Sequence, residues 1–307
     1  MEDISIQICG IGKSWGKVRA LHDIRLEIGK GELFGLIGPD GAGKTTLIRI
    51  LASLLLPGSG TASVEGYDVV KDYRKIRDIT AYMPGRFSLY QDLTVAENLS
   101  FFATIFGTTL KENYHLIRDI YVQLEAFSNR PAGKLSGGMK QKLALCCALI
   151  HQPQVLLLDE PTTGVDAISR AEFWEMLRRL KTQGITILVS TAYMDEAALC
   201  DRIALIQEGS ILKTDIPSAI PGDYPRRLYA ISAKQMYRLL KDLQQMPAVF
   251  TAYLSGQHIH FSLNPDFPEP GLIAMLLEKS GHEGIQIREV VPGIEDSFIA
   301  LMKGESV

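Results

Sequence analysis

This 307-residue sequence has little of what would point to a membrane span, a metal cluster or nucleic-acid binding. No run of 18 apolar residues occurs, so no membrane span is predicted. The 32 lysines and arginines do not exceed the 35 acidic residues, so there is no basic excess to favour nucleic acid as a partner. The four cysteines lack metal-binding spacing, and adjacent Cys146 and Cys147 in an apolar stretch suggest reduced core residues of a cytosolic protein.

The sequence does contain a phosphate-binding loop between a predicted strand and a predicted helix. The pattern G-x-x-x-x-G-K-[ST] begins at Gly38, after the apolar run 33–37, and an apolar helical segment follows it. Backbone N–H groups of such a loop point at phosphate oxygens, at the positive end of the helix dipole. We expect Lys44 to contact the β- and γ-phosphates and Thr45 to bind Mg²⁺. The residues predicted to surround ATP are Gly38, Pro39, Asp40, Gly41, Ala42, Gly43, Lys44, Thr45 and Thr46.

An acidic pair follows a second apolar run. Residues 155–158 predict a buried strand, which ends at Asp159 and Glu160. A carboxylate at the carboxyl end of a parallel strand beside a phosphate loop is placed to hold Mg²⁺, and this role falls to Asp159. Glu160 is placed to polarise the water that attacks the γ-phosphate, so it is the candidate catalytic residue.

A second anion-binding turn is predicted at Ser136, Gly137 and Gly138. The serine can cap the helix that follows, and the two glycines leave its first N–H groups bare. A single phosphate site does not need this second helix terminus. The simpler alternative is an N-capped helix after a glycine turn.

Together these motifs resemble the ATP-binding subunits of ABC transporters. The stretch 135–141 matches the family signature, 38–45 its Walker A motif, 155–160 its Walker B motif and 164–166 its D-loop; Trp15 stands where the family stacks an aromatic ring on adenine. The resemblance covers about residues 4–220. It implies an α/β P-loop NTPase fold with a RecA-like core, an antiparallel β subdomain and a helical subdomain. It also implies that ATP is bound between Walker A of one cassette and the signature of a second, and that closure drives a membrane permease.

Two positions depart from the family pattern. The family has a glutamine after the strand predicted at 79–84, and here Gly85 occupies that position. The family also has a switch histidine after its last catalytic strand, and here Ala192 replaces it. Because these side chains act mainly in the transition state, their loss predicts that ATP still binds but is hydrolysed slowly.

These departures leave two assemblies open. In one, this chain pairs with a fully equipped cassette, lends it the signature turn and holds ATP at its own site. In the other, two copies form a homodimer with two slow sites. We favour the heterodimer.

The sequence predicts two domains, an ATP-binding domain at 1–220 and an accessory α+β domain at 226–307. A helical insert at about 86–134 includes Phe87, Leu89 and Tyr90, which the resemblance places in the groove for the permease.

The accessory domain is predicted to be a ferredoxin-like module like the C-terminal extension of drug-efflux ABC exporters. Its strand–helix–hairpin–helix–strand–helix pattern carries this prediction. His258 and His260 alternate on one strand, which indicates a solvated face rather than a metal site.

We therefore interpret the chain as a cytoplasmic ATPase subunit of an ABC exporter, peripheral on the inner face of the cell membrane. ATP and Mg²⁺ are its expected cofactors, and no nucleic acid is expected as a partner. A non-transport ABC ATPase and a nucleotide-gated regulatory subunit without turnover are the alternatives.

Overall fold

The computed structural model describes residues 3–267 and 269–303. Within it the chain divides into two compact units, Met1–Pro217 and Ser218–Val307. In the described part of the chain no helix combines the length and the hydropathy of a membrane span.

A six-stranded sheet forms the centre of the first unit. Its strand order is β10-β9-β3-β8-β7-β6, with parallel neighbours from β9 to β6 and an antiparallel edge at β10. The inner strands β3, β7 and β8 are buried along their whole length, as is typical of parallel strands covered on both faces. The bounds are β3 Leu33–Ile37, β6 Thr80–Met83, β7 Val155–Asp159, β8 Thr186–Thr191, β9 Arg202–Gln207 and β10 Ser210–Asp215.

A separate antiparallel sheet in the same unit has the order β2-β1-β4-β5. Its long strands alternate between buried and exposed side chains. The buried face shares one hydrophobic core with the helix that follows β3 and with the central sheet. Its strands are β1 Ile4–Trp15, β2 Val18–Gly29, β4 Ser59–Val64 and β5 Tyr67–Asp68.

Helices complete the first unit. The first helix of the insert is capped by Thr94, whose side chain forms a reciprocal capping box with Glu97. The insert contains α3 and α4, and both pack against α5. The helices are α1 Lys44–Leu51, α2 Tyr73–Ile79, α3 Val95–Ile105, α4 Leu110–Glu125, α5 Gly137–Leu149, α6 Ala167–Thr182 and α7 Met194–Ala197.

The second unit has the β-α-β-β-α-β order of a ferredoxin-like fold, followed by one more helix. Its sheet runs β12-β13-β11-β14 with every neighbour antiparallel, which confirms the predicted α+β module. The elements are β11 Leu228–Ser232, α8 Met236–Gln245, β12 Val249–Ser255, β13 His258–Leu263, α9 Pro270–Lys279, β14 Gln286–Val290 and α10 Ile294–Met302.

The prediction that His260 lies on a solvated face of β13 is wrong. Its Nδ1 lies 2.7 Å from Asp296 Oδ1 on α10, and its side chain is only 17% exposed. Asp296 also accepts hydrogen bonds from the Tyr253 hydroxyl and, at 2.6 Å, from the Gly293 N–H that begins α10. A polar cluster therefore attaches α10 to this face of the sheet.

Candidate functional site

The phosphate-binding loop joins β3 to α1, as predicted from the sequence. Gly43, at the N-cap of α1, has a φ of 103°, and a Cβ there would lie 2.6 Å from the Ala20 carbonyl oxygen. Only glycine suits both the left-handed backbone and this close approach. The loop therefore presents the bare N-terminus of α1 to an anion.

Lys44 is the buried cation of this loop. It is 3% exposed, and its Nζ donates hydrogen bonds to the carbonyl oxygens of Gly38 and Pro39 at 2.7 and 2.9 Å. The same Nζ lies 3.0 Å from Glu160 Oε1. A buried ammonium is tolerated only with such partners. Phosphate oxygens are acceptors of the same kind, so the site can exchange these contacts for a nucleotide.

A hydroxyl and a carboxylate meet beside Lys44. Thr45 Oγ1 donates to Asp159 Oδ1 at 3.0 Å, and Ser190 Oγ donates to the same oxygen at 2.9 Å. These oxygen donors suit Mg²⁺, which takes one or two protein ligands and completes its shell with water and phosphate. Among the described residues no group of three His, Cys, Asp or Glu side chains could hold a metal ion.

Ser190 is a site residue that the sequence reasoning missed. It is the penultimate residue of β8, before Thr191, and pairs with Asp159 on the neighbouring parallel strand. Its carbonyl and hydroxyl oxygens both accept from the Glu160 N–H at 3.1 Å. The available signal was the order of the strands, because parallel neighbours bring their carboxyl ends to one edge of the sheet.

Glu160 has a strained backbone and a defined side chain. Its φ of 50° is left-handed, a conformation that costs a non-glycine residue about 1–3 kcal/mol and that is concentrated at functional sites. Besides the contact to Lys44, its Oε2 accepts a hydrogen bond from Thr163 Oγ1 at 3.3 Å. The structure thus places this carboxylate beside the buried Lys44 ammonium.

The signature turn caps α5 as the sequence predicted. Ser136 Oγ accepts from the Met139 N–H at 3.3 Å. A Cβ on Gly138 would lie 2.5 Å from Ser169 Oγ, so the start of α5 packs closely against α6. In the described residues, no hydrogen bond or ion pair joins this turn to the phosphate loop of the same chain.

Trp15 ends β1 and is 55% exposed. The Lys13 ammonium lies 4.9 Å from the ring centroid and donates to the Leu56 carbonyl oxygen at 2.8 Å. A cation on the ring and an exposed aromatic surface are compatible with stacking of a purine.

The two positions that depart from the expected motifs lie at the carboxyl edge of the central sheet. Gly85 follows β6, and a Cβ there would lie 2.9 Å from the Asp159 carbonyl oxygen. Ala192 follows β8 directly after buried Thr191. Neither residue carries a side chain that could donate to a phosphate.

A cavity of mixed character opens between β6 and the helical insert. Phe87 and Leu89, two of the residues predicted for the permease groove, line it together with Phe102, Phe106 and His151. Tyr90 is not among the lining residues; it is half exposed and packs edge-on against Phe101, with ring centroids 4.8 Å apart.

Comparison with known proteins decides the family. Residues 21–163 match the family described as "ABC transporter". The Nod factor export ATP-binding protein I of Rhizobium sp. (strain N33) is 33% identical over 98% of each chain. The chain belongs to the ABC transporter family. Its α/β core is the ABC ATPase cassette, with the C-terminal module added.

A second relative and a solved structure agree with this ABC assignment. The probable multidrug ABC transporter ATP-binding protein YbhF of Escherichia coli (strain K12) is 38% identical over 99% of this chain. The chain spans about half of that relative, 53% of its length. A dimeric bacterial ABC transporter cassette superimposes with a TM-score of 0.62 and 25% identity, over 69% of this chain and 98% of that one.

Proposed function

We propose that this chain is the ATP-hydrolysing subunit of an ABC exporter. The cluster of Lys44, Glu160, Thr45 and Asp159 at one sheet edge is the observation that carries the proposal. The names of the relatives, which include a Nod factor export protein and a probable multidrug transporter protein, support export over other directions.

In the proposed site each residue has a separate role. Lys44 and the N–H groups of the loop bind the β- and γ-phosphates, while Trp15 stacks on adenine. Thr45 and Asp159 hold Mg²⁺, which would neutralise charge on the phosphates. Glu160 accepts the proton of the attacking water or orients it.

We infer that turnover at this site is slow. Gly85 and Ala192 leave the γ-phosphate and the attacking water without two side-chain contacts. Loss of one such transition-state donor typically costs about 10²–10³ in rate. Ground-state binding depends mainly on Lys44 and Mg²⁺, so ATP affinity is retained.

Two partners follow from this proposal. A second cassette places its phosphate loop against Ser136, Gly137 and Gly138, and we favour a different, fully equipped chain over a second copy. A membrane permease docks in the cavity lined by Phe87 and Leu89. The chain would then be cytoplasmic and peripheral on the inner face of the cell membrane, with residues 226–307 as an accessory domain.

The test is ATP binding and hydrolysis by the purified chain and by Glu160→Gln, followed by co-purification with a membrane protein. We expect both proteins to bind ATP and only the wild type to hydrolyse it. Binding without Glu160-dependent turnover, even beside a partner cassette, would instead indicate a nucleotide-gated regulatory subunit. Co-purification with nucleic acid in place of a membrane protein would contradict the transport role.

A further inference from the structure

A buried carboxylate outside the nucleotide site joins two of its loops. Glu196, in α7, is 2% exposed. Its Oε2 accepts hydrogen bonds from Thr191 Oγ1 at 2.6 Å and from Thr162 Oγ1 at 3.1 Å. Thr162 lies two residues after Glu160, and Thr191 immediately precedes Ala192. One carboxylate therefore holds both the loop that carries the catalytic acid and the loop that carries the switch position.

Arg170 reaches the same carboxylate from α6. Its Nε lies 3.2 Å from Glu196 Oε1, and its Nη2 donates to Asp195 Oδ2 at 2.9 Å. Its guanidinium also lies 4.4 Å from the ring centroid of Tyr193. The helix that bears Arg170 begins at Asp166, whose side chain caps it by accepting from the Ser169 N–H.

The buried Glu196 carboxylate depends on these partners. Burial of an ionised carboxylate is costly unless it is paired and hydrogen-bonded. Here two hydroxyls donate to Glu196 Oε2, and the Arg170 guanidinium is the ion-pair partner of Oε1, which accepts no hydrogen bond among the described residues. The planar guanidinium can also stack on Tyr193. If α6 moved away, Glu196 would lose its only cation among the described contacts, so its loops would be free to shift.

Thr191, one partner of Glu196, also contacts the phosphate loop. Thr191 accepts the Gly38 N–H of the phosphate loop through its carbonyl oxygen at 3.2 Å, and its hydroxyl accepts the Tyr193 N–H at 3.0 Å. The neighbouring Ser190 accepts the Glu160 N–H. A displacement of these loops would therefore move the Glu160 carboxylate relative to Lys44.

We propose that Arg170 and Glu196 are positioning residues, which fix the Glu160 loop and the switch loop to the start of α6. This inference rests on the proposed ATPase function but names residues that do not touch nucleotide. The D-loop segment at 164–166 leads into α6, so a change in that segment reaches Glu160 through this pair.

The test is a double-mutant cycle of Arg170→Met and Thr162→Val, with steady-state hydrolysis by the full chain measured over a range of ATP concentrations. Each change removes one partner of Glu196 and leaves the others, so the protein should fold. We expect ATP affinity to change less than about twofold and kcat to fall about tenfold, since small misplacements of reacting groups reduce rates strongly. The double variant should be little slower than the slower single variant, because both act through Glu196. Arg170→Lys should restore part of kcat.

Hydrogen exchange gives a readout that does not depend on turnover. The amides of Tyr193 and Thr163, bonded to Thr191 Oγ1 and the Glu160 carbonyl, should exchange several-fold faster together in Arg170→Met. The matched control is Arg179→Met, which breaks an exposed ion pair with Glu175 on the same helix. This control should change neither kcat nor exchange in the two loops.

Three results would overturn the inference: additive losses of kcat, a rise in KM with kcat unchanged, or faster exchange confined to α6. Absence of ATP hydrolysis in every protein would refute the proposed function instead, while the exchange data would still decide whether Arg170 couples the two loops.

Discussion

Both units of the molecule bury a polar cluster, and the two clusters differ in what their partners can be exchanged for. In the first unit, Lys44 contacts two loop carbonyls and Glu160. In the second unit, Asp296 accepts from Tyr253, His260 and the start of α10. The first set of contacts resembles those that phosphate offers, whereas the second joins one helix to one sheet.

A buried polar group can serve to bind a ligand or to stabilise the fold around it. A buried polar group that is fully partnered within its own fold stabilises that fold, and its loss leaves its partners unsatisfied. A buried cation whose partners can be replaced by ligand oxygens contributes to affinity. We therefore expect changes in the first cluster to affect ATP and changes in the second to affect stability.

The largest effect should follow Lys44→Met. Removal of the charge-assisted contacts to phosphate should weaken ATP binding by about 10²-fold, since each hydrogen bond to a charged group contributes about 1.5–3 kcal/mol. The thermal midpoint should change little. Titration with ATP and a thermal melt check both statements, with exposed Lys30→Met as the control. A large loss of stability with intact ATP binding would show that Lys44 stabilises the fold and does not bind ATP.

The next effect should follow Asp296→Ala. The Tyr253 hydroxyl, His260 Nδ1 and the Gly293 N–H would lose their acceptor, and the second unit should lose about 2–4 kcal/mol of unfolding free energy. Denaturant unfolding measures the loss, and ATP binding should be unaffected. The neighbouring exposed Glu295→Ala serves as the control. Equal stability of the two variants would show that the cluster does not anchor α10.

A smaller effect concerns alkaline pH. Burial, reinforced by the hydrogen bond to Asp296, raises the pKa of Tyr253 well above its ordinary value. The unfolded state therefore releases this proton first, so the contribution is complete below about pH 10 and is lost as the pH rises above that value. The slope is about 1.4 kcal/mol per pH unit at most. Tyr253→Phe should remove this part of the decline in stability between pH 10 and 11; an unchanged decline would contradict the assignment.

The sequence predicted the elements that local pattern determines. The loop before α1, the strand before Asp159 and the helix cap at Ser136 all have signals within a few residues of themselves. Ser190 was missed because its role depends on which strand lies beside β7. The environment of His260 was predicted wrongly because α10 covers that face of the sheet. This helix begins at Ile294, 34 residues later in the chain.

The two positions that depart from the family pattern differ in how easily a mutation can restore the family residue. Gly85 lies so close to the Asp159 carbonyl oxygen that any side chain there requires a shift of the catalytic loop. Ala192 already has a Cβ, so a histidine at this position is the cleaner restoration of the family pattern. This difference could not be deduced from the motif alone.

The most direct test of the slow-site account is single-turnover ATP hydrolysis by the wild type and by Ala192→His at saturating ATP. We expect equal ATP affinity and a hydrolysis rate about 10²–10³-fold higher in Ala192→His, with hydrolysis abolished in both proteins by Glu160→Gln. A wild type that already hydrolyses ATP as fast as Ala192→His, in a Glu160-dependent way, would contradict it.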